Sequence, residues 1–453
     1  MRSYIEIERT FSLPMNSTQT PYAVIMPNCD DSNRGDQALV WQTMAVGRDA
    51  GCSGKYYMLA TSPEKAAQSA AQGIGVIEPV LHHPRTRYAP KDNVSYTPIL
   101  TLAWGSIALA DTARNLMLLN PVGRRLARRL LSDSQQETIR RIEGAEVCFV
   151  KGGGFIHSTN SVTDVYRAYY SLFHVFLAQS LGKPVVVMPN SFGPLKGRLY
   201  RRLVRRALRN CVLVTARESI SQNALDDLGV DSAVYPDLAF GLQGEGAPDS
   251  PVRRVKVENP GKRIVGITVR PYRFPYSEDP KTAQEAYIAS VAEFARDLSA
   301  QGYVPLFIEH VRSAGKHESD MAAIQQVTSL LKPSEYAVVS VPDYDCRKMK
   351  GIYGECDFVV GTRFHSVIFA MSEGVPALAI AYGGNKGTGI MMDIGLSHMA
   401  IPIEDFSFDV VKQRFQELVE REEEIRAHLA DLSETHRKKY AELAAEIRER
   451  VGL

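Results

Sequence analysis

From residue 22 onward, short runs of β-branched, aliphatic and aromatic residues alternate with longer stretches whose apolar positions recur at helical spacing. YAVIMP at 22–27, KYYMLAT at 55–61, EVCFVK at 146–151, PVVVMP at 184–189 and VLVTAR at 212–217 predict strands. The stretch VYRAYYSLFHVFLAQSLG after Asp164 predicts a helix that stops at Gly182. Ser219 and Gln222 stand at capping-box spacing and predict a helix ending near Gly229. Across 241–262 the apolar period lapses into glycine, proline and charge, which predicts a linker. The alternation restarts with RIVGITVR at 263–270 and continues through VPLFIEHV at 304–311, YAVVSVP at 336–342, DFVVG at 357–361 and PALAIAY at 376–382. ILTLAWGSIALA at 99–110 is too short to span a bilayer and predicts a core helix. Asp405 to Arg450 is highly charged and predicts a solvated helix packed along one stripe.

Strand–helix alternation on both sides of a linker predicts an α/β fold: two doubly wound, Rossmann-like domains facing a cleft. The boundaries are 1–240 for the N-terminal domain, 241–262 for the linker, 263–405 for the C-terminal domain and 406–453 for a charged C-terminal helix. A length of 453 residues suits more than one core. Open parallel sheets of this kind bind ligands outside the carboxyl ends of their strands.

Composition narrows the partners. Lys plus Arg total 53 and Asp plus Glu 51, so the net charge of +2 offers no general attraction to nucleic acid. The six cysteines show no C-x-x-C spacing, which argues against zinc and for buried free thiols in a reducing cytoplasm. The first residues, MRSYIEIERTFSLPMNS, contain no apolar core of a secretory signal. The expected location is therefore cytoplasmic.

Polar and glycine-rich segments follow nearly every strand. Asn33 and Asp36 follow the first, and Gly152, Gly153 and Gly154 follow EVCFVK. Asn190, Ser191 and Gly193 follow PVVVMP, Arg217 follows VLVTA, and Asp237 follows AVY. In the second half Arg270 follows GITV, His310 follows FIE, Arg363, His365 and Ser366 follow DFVVGT, and Lys386 follows LAIAY. Any one of these has a bland reading: a tight turn, a surface arginine, a satisfied core histidine. Their common placement points to one shared cleft. Arg217, Arg270, Arg363 and Lys386 would make it cationic, and helix N-termini expected near Gly154, Ser219 and Ser366 would add N–H donors. A phosphate or carboxylate ligand fits that character. No Walker A loop is present and no G-x-G-x-x-G follows a strand, so neither an ATPase nor an NAD enzyme is indicated.

Taken together, SNRGDQAL at 32–39, KGGGFI at 151–156, NSFGPLKG at 190–197, ARESISQNALDDLG at 216–229, YPDLAF at 235–240, GITVRPY at 266–272 and GTRFHSVIFAMSEGVPALAIAY at 361–382 resemble the polysaccharide pyruvyltransferase family. The resemblance runs over about residues 22–405, and the second half looks particularly like the enzymes of colanic-acid and related exopolysaccharide pathways. It implies a GT-B-like fold and transfer of pyruvate from phosphoenolpyruvate to a sugar as a cyclic ketal. The acceptor would be an exopolysaccharide glycan or its lipid-linked oligosaccharide. The family's Arg-x-His motif maps onto Arg363 and His365, and the Arg of its A-R-E-S segment onto Arg217. Residues 79–135 match poorly and are expected to shape the acceptor site or a surface.

The residues suit that chemistry in their own right. Phosphoenolpyruvate carries a phosphate and a carboxylate, so cations must hold it, and a proton must reach its methylene carbon. Histidine, with an ordinary pKa of about 6.5, suits proton handling. His365 is the expected acid/base or phosphate donor, with Arg363 and Arg217 as anion clamps. Asp36, Asp237 or Glu373 would deprotonate or position the sugar hydroxyl. Asn33, Gly153, Gly154, Asn190, Ser191, Gly193, Arg270, Ser366 and Lys386 complete the expected substrate contacts. The C-terminal domain is the expected donor side and the N-terminal domain the acceptor side. No cofactor and no metal are called for.

Two other readings compete. A nucleotide-sugar glycosyltransferase of the same fold is one, since His365 and Glu373 stand eight residues apart, like an acidic pair in some such enzymes. A non-catalytic scaffold for polysaccharide assembly is the other. GRRLARRLL at 123–131 and KGRLYRRLVRRALR at 196–209 read first as solvated helix faces, and otherwise as peripheral contacts with an anionic membrane surface.

Overall fold

In β1 (Tyr22–Met26) every residue is buried, yet its side chains divide between two cores. Ala23 and Ile25 join one cluster, and Tyr22, Val24 and Met26 the other. That alternation is the period-2 signature of a strand covered on both faces, and it explains why the sequence reads as an unbroken apolar run. The computed structural model describes residues 21–82, 98–158, 161, 163–312, 319–383 and 385–453. The stretch 1–20, the segment 83–97 within the poorly matching region, and Gly384 lie outside the described residues.

The first sheet has eight strands. Its members are β1, β2 (Lys55–Leu59), β3 (Gly75–Ile77), β4 (Val147–Val150), β5 (Gly153–Ile156), β6 (Val185–Phe192), β7 (Leu213–Ala216) and β8 (Ala233–Val234). They run in the order β3-β2-β1-β4-β6-β7-β8, with β5 on the end of β6. The second sheet has six: β9 (Ile264–Thr268), β10 (Val304–Ile308), β11 (Ala337–Val339), β12 (Phe358–Gly361), β13 (Ala377–Ala381) and β14 (Ala400–Pro402). Its order is β11-β10-β9-β12-β13-β14, and every pairing in both sheets is parallel. Strand order therefore reverses between β1 and β4 and again between β9 and β12. Those switch points open crevices at the carboxyl ends.

One apolar cluster runs through both halves. The helix Arg34–Asp49 contributes Ala38, Leu39, Val40 and Trp41 to it, alongside Val360, Phe369 and Leu378 of the second sheet's layers. The C-terminal chain is two helices, Phe408–Glu420 and Glu422–Val451, rather than the single one expected. The second has 30 residues and extends about 45 Å. Near its start Arg426 Nη1 donates to Gly374 O at 2.7 Å, and near its end Arg448 Nε donates to Ala50 O at 3.0 Å. It thus straps the second half to the first. Ile425, Leu429, His436, Leu443 and Ile447 form its buried stripe.

Two further expectations change. The segment read as a linker contains the helix Pro251–Glu258, whose Val252 and Val255 enter the shared core. Burying each contributes about 1.5–3 kcal/mol, a signal too short to show as periodicity amid proline and charge. The stretch 99–110 lies in the helix Pro98–Leu118, but Ile99, Leu102 and Leu109 point to solvent, so it is not a core helix. No helix among the described residues is long and apolar enough to cross a membrane.

Candidate active site

The chain leaving β1 turns at Asn33, which caps the helix Arg34–Asp49. Its side-chain oxygen accepts from the N–H groups of Gly35 at 3.0 Å and Asp36 at 3.4 Å. Its amide nitrogen donates to Asp36 Oδ2 at 3.0 Å. Lys151, leaving β4, reaches Asp36 Oδ1 at 3.1 Å. Burial works to raise the Asp36 carboxyl, but Lys151, His365 and Lys386 together outweigh it, so the carboxyl lies below its ordinary value. The two residues sit on either side of the first switch point, as an ion pair.

The opposite wall comes from the second switch point. Gly361 pairs with Thr268, and the chain beyond β12 begins the helix Phe364–Ser372 with Arg363 as its N-cap residue. His365 then lies against Gly35 of the first half. A Cβ added to Gly35 would stand 1.8 Å from His365 Nδ1, so only glycine leaves room. Lys386 Nζ is 3.4 Å from His365 Nε2, and Asp237 Oδ2 is 3.9 Å from that same nitrogen. Burial first, then Lys386, push the imidazole well below its ordinary value, against the pull of Asp36. Burial, then Arg217, bring Lys386 down to about 7, against Asp237 and Asp36. Without a ligand both groups hold a proton less readily than an ordinary imidazole or amine.

The halves are fastened around it. Asn33 bridges Val311, Arg312 N donates to Ser32 O at 3.1 Å, and Arg34 Nη2 donates to Pro342 O at 2.8 Å. Ser219 N and Oγ each bond the Asp393 carboxylate at 2.6 Å. That contact replaces the expected capping box, and a carboxylate already fills this helix end. Glu218 is the N-cap residue instead. No helix begins at Gly154, which belongs to β5.

The expected cationic cleft needs correcting. Arg217 is fully buried, its Nη1 donating to Asp237 Oδ2 at 2.6 Å and its Nε to Ser191 Oγ at 2.7 Å. Ser191 Oγ passes the chain on to Glu218 Oε2 at 2.8 Å. Arg363 is held by Asp320, with Nη2–Oδ1 at 2.6 Å. Buried guanidinium groups need such partners, which a strand-by-strand reading does not supply. Arg217 Nη2 and Asn190 Oδ1 are buried without a hydrogen-bond partner among the described residues, and Nη2 lies under Gly154. Arg270 stacks on Tyr382 at 4.3 Å. Ser366 is spent internally, on Thr268 Oγ1 at 2.9 Å and Arg363 O at 2.6 Å. Glu373 lies about 12 Å along the helix from His365 and pairs with Lys350 at 3.7 Å, away from the cluster.

Two cavities of about 390 Å³ each meet at Gly154. One lies in the first half, lined by Asp36, Lys151, Gly153, Phe155, Tyr170 and His174. The other lies between the halves, lined by Ser191, Gly193, Tyr272, Phe364, Tyr382 and Lys386. His365 lies against Gly35, the neighbour of Asp36 in the first lining, and 3.4 Å from Lys386 of the second. Lys151, Asp320, Tyr272 and Tyr382 went unassigned in the sequence. Lys151 alone had a local signal, a lysine directly after a buried strand.

Residues 62–384 match the family described as polysaccharide pyruvyl transferase. The amylovoran biosynthesis protein AmsJ of Erwinia amylovora is 23% identical over 286 residues, covering 62% of this chain and 68% of that protein. Among solved structures, a putative UDP-N-acetylglucosamine 2-epimerase from Listeria monocytogenes superposes with a TM-score of 0.53 at 10% identity, covering 91% of both chains. A glycosyltransferase from Rickettsia africae gives 0.51 at 10% identity, covering 95% of this chain and 98% of that one. These likenesses show a shared α/β fold, that of GT-B glycosyltransferases and epimerases. With the family match spanning most of its length, the chain belongs to the polysaccharide pyruvyl transferase family.

Proposed function

We propose that this protein transfers pyruvate from phosphoenolpyruvate to two hydroxyls of one sugar in an exopolysaccharide or its lipid-linked repeat unit. The observation that carries the reading is a pair of cavities meeting at Gly154, one lined by Asp36 and Lys151 and the other by Lys386, whose Nζ lies 3.4 Å from His365 Nε2. A two-substrate reaction needs that division. Family membership and the likeness to an amylovoran biosynthesis protein support the reaction class.

The phosphate and carboxylate of phosphoenolpyruvate lie against Lys386 and the N-terminal turn of the helix Lys386–Asp393. Their negative charge raises the depressed pKa of both Lys386 and His365, so His365 arrives protonated. His365 then gives a proton to the methylene carbon, which becomes the methyl group. One sugar hydroxyl adds to the central carbon, and its proton passes to a nearby base. Asp36 and Asp237 stand beside His365 for that role, and Glu373 does not. The second hydroxyl displaces phosphate from the same carbon, the C–O bond breaks, and its proton leaves with phosphate. Arg363, fixed by Asp320, and Arg217, fixed by Asp237, keep the helix start and the floor in register. This makes them positioning groups as much as clamps.

The test is incubation with phosphoenolpyruvate and candidate lipid-linked oligosaccharides, followed by mass spectrometry for a pyruvyl ketal and assay of released phosphate. His365→Ala and Arg363→Ala, each folded by circular dichroism, are expected to lose at least 100-fold in phosphate release. Wild-type turnover in either, or turnover of nucleotide sugars in place of phosphoenolpyruvate, overturns the assignment.

A further inference from the structure

The helix Pro98–Leu118 is built inside out. Its buried line carries Leu100, Asp111, Asn115 and Leu118, and Asp111 pairs with Arg114 at 3.4 Å. Its outer line runs Ile99, Leu102, Ser106, Leu109, Ala113 and Leu116 at alternating three- and four-residue steps, all exposed. Ile99 is 81% exposed, Leu102 77% and Leu109 73%. The apolar surface continues onto the helix Pro121–Ala127 and the turn after it, through Val122, Leu126 and Leu130. Leaving that much side chain in water is costly unless something covers it.

We propose that this face is a docking surface for an anionic lipid bilayer. The charge around it selects that occupant. Arg125 and Arg129 are exposed beside Leu126 and Leu130, and Asp111, the only acid between residues 98 and 131, is buried. A second copy seated on the same face would bring arginine against arginine with no acid from these helices between them. Anionic headgroups meet both demands, taking leucine into the acyl boundary and arginine at the phosphates. A second basic helix, Arg198–Leu208, flanks the same end of the molecule. Arg124 Nη2 donates to Ser180 O at 3.0 Å, and Gln179 Nε2 donates to Ala207 O at 2.7 Å. Both basic segments thus border the C-terminal end of the helix Asp164–Ser180. Arg202, Arg205 and Arg206 of the second are exposed.

The surface also has a place in the reaction proposed above, and this part rests on that reading. Arg114 Nη2 donates to Val80 O at 3.4 Å, and Val80 N donates to His174 Nε2 at 3.1 Å. Leu81 and His174 line the cavity that holds Asp36 and Lys151. A glycan tethered to a bilayer lipid would then enter that cavity beside the membrane surface.

The experiment is co-sedimentation of the full chain with phosphatidylglycerol-containing vesicles and with phosphatidylcholine vesicles, at low and high salt. The intact protein is expected to bind the anionic vesicles and not the neutral ones. Leu102→Glu with Leu109→Glu, and separately Arg125→Glu with Arg129→Glu, are expected to lower the bound fraction at least tenfold. No binding to anionic vesicles at low salt, or equal binding by these variants, overturns the proposal. So does sedimentation velocity showing a dimer that the leucine variant abolishes. Phosphate release with a water-soluble acceptor keeps the two readings apart. The leucine variant retains it if both hold, and its absence in the intact protein counts against the reaction while leaving the vesicle result standing.

Discussion

Gly35 and His365 touch across the junction of the two halves, so closely that a methyl group on Gly35 would occupy the space of the imidazole. Gly35→Ala therefore displaces His365 or parts the halves. The expected outcome is a loss of phosphate release of at least tenfold, with circular dichroism showing a folded chain. Unchanged turnover in this variant sinks the placement of His365 at the reacting centre.

Lys386, brought down to about 7, makes anion binding pH-dependent. An anion favours the charged amine, so binding takes up a proton, and affinity falls as pH rises through 7. Sulfate is a suitable probe because its own charge is constant there. Its Kd is expected to weaken about tenfold per unit above pH 7, and Lys386→Met is expected to flatten the profile. The stability of the ligand-free fold runs the opposite way with pH. The folded-state pKa lies below the unfolded value, so the protonated amine destabilises the ligand-free fold fully below pH 7, and the penalty fades toward the unfolded value. Lys386→Met is thus expected to raise the ligand-free Tm at pH 6. A sulfate profile without slope argues against the assignment.

Asp320 holds Arg363 and also accepts from the N–H groups of His310 at 3.1 Å and Val311 at 2.8 Å. Asp320→Asn leaves a buried guanidinium without its counter-charge. Stability is expected to fall by about 3 kcal/mol, read by urea unfolding, with a raised KM for phosphoenolpyruvate. A variant as stable as the parent, with the same KM, removes Asp320 from the positioning role.

Glu373 is the carboxylate that the structure moves away from the site. Its partner Lys350, brought down to about 8 chiefly by burial, also donates to Phe240 O at 3.3 Å. Glu373→Gln is expected to keep turnover within about twofold and to cost about 1–2 kcal/mol of stability. A hundredfold loss of turnover would reinstate it as a base.

The strands were legible because burial on both faces forces continuous apolar runs. Tyr22–Met26 and Ala377–Ala381 announce themselves without help from their neighbours. The carboxyl ends of the strands were legible too, since polar and glycine-rich residues gather there, but the strand order that makes switch points was not. The partners were not. Asp320 stands 43 residues before Arg363, and Asp237 is 20 residues beyond Arg217, with nothing local to couple them.

What the sequence determined by itself was the alternation, the α/β class and the identity of the strand-end residues, because these follow from local burial and backbone geometry. Only the tertiary structure decided which of those residues meet. It set His365 on Gly35, turned Arg217 and Arg363 from open cations into ion pairs, and sent Glu373 to the far end of its helix. It also decided that Ile99, Leu102, Leu109 and Leu116 face outward. Charge pairing and solvent exposure depend on distances between segments remote in the chain, and a one-dimensional pattern carries no distances of that kind.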